Sequence, residues 1–193
     1  MISSNVNRMK GFSDPILKPI FQRKAFLMKK RIILSGVIGI LVVVGIAMLY
    51  TSPKNMIARQ LHIEIPIAEN VEYTDDHGGW FGEGAAFGKL KLDGTNGQAF
   101  LEKVQKDETW SKLPLTENLK LLMYGGEKDG VTYTDEFAHR FEIPETTNGY
   151  FYFLDRLNSS HSDENLLDGS ALNFTFSLYD VDNNTLYFLK VDT

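Results

Sequence analysis

Residues 173–191 read NFTFSLYDVDNNTLYFLKV. Apolar and polar side chains alternate from Asn173 to Tyr179 and again from Thr185 to Val191, which is the period of a β-strand. Asp182-Asn183-Asn184 between them is turn chemistry, because short polar side chains bond their own backbone and tolerate left-handed geometry. Two such runs joined by a short turn form a hairpin, so this segment belongs to an antiparallel sheet.

Upstream, Asn148-Gly149 marks a turn before the aromatic run Tyr150-Phe151-Tyr152-Phe153-Leu154, which favours a strand over a helix. Val131 with Tyr133, Ala86 to Leu92, and Val71 with Tyr73 read as further strands. Leu61, Ile63 and Ile65 alternate with His62 and Glu64, a strand pattern stopped by Pro66. Gln98 to Lys106 reads as a helix with Phe100, Leu101 and Val104 on one face and Thr95 or Asn96 as its cap. Leu119 to Tyr124 is an apolar run ended by Gly125-Gly126. Trp110, Leu113-Pro114-Leu115 and the polar stretch Ser159–Gly169 read as loops. The sum is an α+β fold: a mainly antiparallel sheet with one or two short helices.

Charge divides the chain into three pieces. Residues 1–31 hold eight basic residues and one acid, and residues 51–193 hold 12 basic and 24 acidic residues, a net of −12. Between them Ile32–Tyr50, IILSGVIGILVVVGIAMLY, carries no charge. A helix of that length spans roughly 28 Å, close to the hydrocarbon thickness of a bilayer. Lys29, Lys30 and Arg31 abut its start, and positive flanks stay in the cytoplasm, so the C-terminal part is expected outside. The apolar run exceeds a usual signal-peptide core, and Ala47-Met48-Leu49-Tyr50 lacks a small-residue cleavage site, which favours an uncleaved anchor. The expected organisation is a basic cytoplasmic tail (1–31), a transmembrane helix (32–50), a linker (51–60) and an extracytoplasmic α+β domain (61–193). Residues 1–27 have two readings: a tail that touches anionic lipid, or sequence upstream of a natural start at Met28.

Absent chemistry narrows the function. The chain has no cysteine, hence no disulfide, thiolate metal site or cysteine nucleophile. An exported domain without cysteine fits a Gram-positive bacterium. No hydrolase, nucleotide-binding or zinc-protease signature occurs, and no cofactor is implied. The acidic excess of residues 51–193 argues against nucleic acid.

One segment stands out. In Asp75-Asp76-His77-Gly78-Gly79-Trp80-Phe81-Gly82-Glu83-Gly84, four of the eight residues from His77 are glycine. Glycine at that density permits positive φ and close approach of backbone. Asp75, Asp76, His77 and Glu83 offer acid–base or hard-ligand groups, Trp80 and Phe81 could stack on a ligand, and Gly78 and Gly79 could line it. The alternative is a structural connection. Consecutive Asp75-Asp76-His77 diverge in an extended chain, no third ligand is identifiable, and the spacing fits no metal or phosphate fingerprint. Asp155-Arg156 could hold an anion or form a strand-end ion pair. His62, His139 and His161 read as surface residues.

The stretch His77-Gly78-Gly79-Trp80-Phe81-Gly82-Glu83-Gly84 resembles the HGGFHGDG motif of an uncharacterised family of exported, membrane-anchored proteins of low-GC Gram-positive bacteria. Trp110 with Leu113-Pro114-Leu115, Asn148–Arg156 and Asn173–Asp180 are similar to other segments of that family. This chain departs at Phe81 and Glu83, where the family has His and Asp, so no two-histidine metal site is implied. The resemblance implies location and fold unity and brings no activity. Three functions are compatible: a membrane-anchored extracytoplasmic domain that binds a protein or small ligand, an accessory subunit of a membrane complex, or a surface hydrolase using the 75–84 loop. The missing catalytic parts favour the first.

Overall fold

The computed structural model describes residues 17–78, 82–134, 136–164, 166–167 and 171–193. Two compact units emerge, Met1–Leu49 and Tyr50–Thr193. The first holds most of helix α1 (Leu17–Thr51), which starts well before the apolar run. Within α1 the stretch Leu34–Thr51 is long and apolar enough to cross a membrane, and none of it is buried by protein.

The second unit is α+β, as the sequence implies. Its sheet has six antiparallel strands. They are β1 (Ala68–Asp75), β2 (Gly84–Leu92), β3 (Trp110–Lys112), β6 (Gly149–Asp155), β7 (Phe174–Asp180) and β8 (Thr185–Asp192). Their order is β1-β2-β8-β7-β6-β3, which puts the C-terminal strand beside the N-terminal hairpin. A small hairpin, β4 (Gly126–Lys128) with β5 (Val131–Tyr133), stands apart.

Both faces of the sheet are covered. On one face, Phe174, Phe176, Leu178 and Leu189 pack against Leu119, Leu122 and Met123 of α4 (Glu117–Tyr124) and Phe137 of α5 (Glu136–Phe141). On the other, Leu90, Tyr152, Tyr179 and Phe188 pack against Ile57 of α2 (Pro53–Gln60) and Phe100 of α3 (Gly94–Val104). Every residue of β7 is buried, so the Thr175 and Ser177 positions of its alternation are shut off from water as well. Ser177 meets that cost by donating its hydroxyl to Tyr187 O at 2.5 Å.

Several local readings change. Trp110, expected in a loop, opens β3, and four short helices, α2 to α5, stand among the described residues where one or two were expected. Residues 53–60, expected as linker, form α2, with Pro53 in its first turn where a missing N–H costs nothing. Leu61, Ile63 and Ile65 are buried but do not form a strand: His62 takes φ 52°, and Ile63 N donates back to Ala58 O. The cap of α3 is Asp93, whose carboxylate accepts from Asn96 N at 2.7 Å.

Gly88 shows how α2 is seated. It lies on β2 directly under Ile57, and a Cβ there would overlap the end of that side chain. Ile57 is 1% exposed, so helix and sheet close at this point because the strand has no side chain.

Candidate functional site

The glycine-rich segment is the hairpin connection between β1 and β2. A single antiparallel pair, Gly78 with Glu83, continues the ladder beyond the strands, with Gly78 N donating to Glu83 O at 3.2 Å. Gly82 takes φ +69° and Gly84 φ +150°, backbone that side chains disfavour. A Cβ on Gly84 would lie 2.7 Å from His77 Cα, so glycine at 84 is what lets His77 fold over the base of the loop.

Alternation then sorts the two acids. Asp75 pairs with Ala86 in register and faces the α2 side of the sheet. Asp76 turns the other way, accepting from Ala85 N at 2.5 Å and pairing with Arg140 of α5. Asp75 Oδ1 lies 2.6 Å from His77 Nδ1 and accepts from His77 N at 3.1 Å, while Asp75 Oδ2 accepts from Tyr73 Oη at 3.2 Å.

The third partner comes from β8. Asp192 is opposite Gly84 in the β2–β8 register, and its Oδ2 is 2.9 Å from His77 Nε2. The same carboxylate is held by Lys190 Nζ at 2.8 Å and Arg156 Nη1 at 2.6 Å. Arg156 follows β6 and crosses the end of β7, donating to Phe174 O at 3.3 Å and Val191 O at 2.5 Å. Asp155 does not pair with it; its carboxylate caps the turn at Leu157 and Asn158.

Burial raises the Asp192 carboxyl, but the bonds and charges of Arg156 and Lys190 outweigh it and hold the group below its ordinary value. Asp75 behaves alike: burial pushes it up, and the bonds from His77 and Tyr73 bring it below the usual range. Burial, then the charge of Asp75 and the bond to it, pushes the Tyr73 phenol up to about 12, so it stays a donor at neutral pH.

Neither a family model, nor a curated protein, nor a solved structure matches this chain.

A cleft of about 520 Å³ opens beside this network, over small Ala86 and against α2. Tyr73, Asp75, His77, Lys190 and Asp192 line one side and Met56, Ile57, Arg59 and Gln60 the other. Of the loop residues singled out, Asp75 and His77 reach the cleft; Asp76 faces α5, Glu83 is exposed, and Phe81 lies outside the described residues. Gly78 is exposed at the loop base, and Gly79 and Trp80 lie outside the described residues. Sequence reading missed Asp192 and Lys190, which no local motif marks, and it marked Arg156 only as a pair with Asp155, whereas its carboxylate partner is Asp192.

Both ring nitrogens of His77 face carboxylates. A neutral imidazole donates to one of them; the imidazolium donates to both. The ring is thus a strut between two strands, with no nitrogen turned to an incoming substrate. Among the described residues no set of three His, Asp or Glu side chains is arranged to hold a metal ion. The geometry suits recognition: fixed donors and acceptors beside an apolar wall.

Proposed function

We propose that this chain is a single-pass membrane protein, N-terminus inside, whose extracytoplasmic unit binds a small ligand in the cleft beside His77. The anchor reading rests on the apolar stretch Leu34–Thr51 and the basic residues before it. The binding reading rests on one observation. Side chains from α2, β1, the glycine-rich loop and β8 converge on one open cleft, and Tyr73, Asp75, His77, Lys190 and Asp192 are bonded to one another along its wall. Pre-ordering of polar groups lowers the entropic cost of recognition.

The test is site-specific photo-crosslinking in intact cells. A photoreactive side chain at Gln60, on the cleft, is expected to give a small-molecule adduct of defined mass. The same group at Lys106, just beyond α3, is expected to give none. Equal adducts at both positions would remove the cleft as the seat. Recovery of a mature chain beginning between Thr51 and Leu61 would replace the anchor by a removed signal peptide.

A further inference from the structure

The unit that carries the cleft has a net charge of −12 over residues 51–193. The cleft departs from that average. Lys190 and Arg59 line it, and Arg156 stands behind Asp192. Two carboxylates, Asp75 and Asp192, line it as well, with His77 between them, so the lining is balanced in charge and Arg156 adds a positive charge from behind.

Both carboxylates already have partners within the protein. Asp192 places Oδ1 on Arg156 and Oδ2 on Lys190 and His77. Asp75 places Oδ1 on His77 and Oδ2 on Tyr73. Arg59 is different: among the described residues it forms no ion pair. Its guanidinium lies 4.1 Å from the centre of the Tyr50 ring, and Nη1 donates to Tyr50 O at 2.8 Å. A guanidinium has five N–H donors in a planar fork suited to oxyanions, so a stacked, positioned Arg59 retains donors for a ligand. Met56, Ile57 and Phe188 supply an apolar wall in the same cleft.

We infer that the cleft takes a small soluble organic anion, a carboxylate or phosphate on a compact apolar body, with Arg59 and Lys190 as the charge-reading residues. This rests on the cleft being the ligand seat. Arg59 and Lys190 favour an anionic over an ammonium head, and the paired carboxylates keep Lys190 and His77 in place without an anion present.

The test uses the full chain in nanodiscs of zwitterionic lipid, labelled at methionine methyl groups. Met56 lines the cleft, and Met123, buried in the opposite core, reports the fold. The probes share a hexyl body and differ in head: hexanoate, hexyl phosphate, hexanamide and hexylammonium. Expected is a saturable shift of Met56 with hexanoate or hexyl phosphate, at least about tenfold tighter than with hexanamide, and none with hexylammonium. Arg59→Gln and Lys190→Gln should each weaken the anion about tenfold while Met123 stays in place. Equal affinity for hexanamide, or unchanged affinity in both variants, overturns the anion assignment and leaves the cleft as a seat. No saturable shift with any of the four overturns both.

Discussion

His77 and Asp192 are 115 positions apart in the chain and 2.9 Å apart in space. That contact ties the connection between the first two strands to the end of the last one. Its energy is not that of an isolated pair, because Asp192 also holds Arg156 and Lys190.

Replacing Asp192 by Asn should therefore cost more than a surface ion pair. The change leaves Arg156, less than one-quarter exposed, without its carboxylate. A loss of about 1–3 kcal/mol is expected, within the range for bonds to charged groups. Urea unfolding of residues 51–193, which include both core clusters, measures it. A loss below about 0.5 kcal/mol would place this contact among ordinary surface pairs.

Acid should weaken the same network. Asp75 and Asp192 both sit below their ordinary values when folded, so in the acid range the unfolded chain binds more protons. Their stabilisation is complete above the unfolded carboxyl pKa of about 4 and is lost as pH falls through the lower folded values. The urea midpoint should fall between pH 7 and pH 3 more steeply in the wild type than in the Asp75→Asn, Asp192→Asn double variant. Parallel curves would show that these two groups are not the source.

Gly84→Ala should disturb the site more than its size suggests. The new Cβ would meet His77 Cα at 2.7 Å, on a backbone with φ +150°. A cost on the order of 1–3 kcal/mol is expected, together with a change in the His77 ring resonances. Gly82→Ala shares the positive φ but has open space around it, so it should cost less and leave the ring unmoved. Equal effects on the ring would mean that close approach is not what positions His77.

Gly88 and Ile57 should behave as a coupled pair. Gly88→Ala collides with the end of the Ile57 side chain, and overpacking typically costs about 1–3 kcal/mol. Ile57→Val removes the colliding methyl. The double variant should recover part of the loss, so a double-mutant cycle should give a favourable coupling. Strict additivity would contradict the seating of α2 on this strand.

Much of this fold was legible. The 173–191 hairpin, the Tyr150–Leu154 strand and the apolar helix each carry a periodicity or a length that local physics decides. α2 was not legible, because eight residues with one buried side chain, Ile57, give too little pattern and Pro53 reads equally as a break or a start. Leu61, Ile63 and Ile65 showed their burial truthfully but not their backbone, since alternation reports which side chains face the core and not whether a partner strand exists. In the site, His77 stood out through its glycines. Asp192 did not, because a lone acid at a strand end becomes a partner through the β2–β8 register alone.

The central claim, an exported cleft that holds a ligand beside His77, is tested most directly by thiol labelling, since the chain has no cysteine of its own. Gln60→Cys places a thiol on the cleft, and Thr95→Cys places one on the exposed start of α3. A membrane-impermeant thiol reagent should label both in intact protoplasts, and hexanoate should slow the reaction of Gln60→Cys alone. Labelling that requires lysis, or hexanoate that slows both variants equally or neither, would contradict the account.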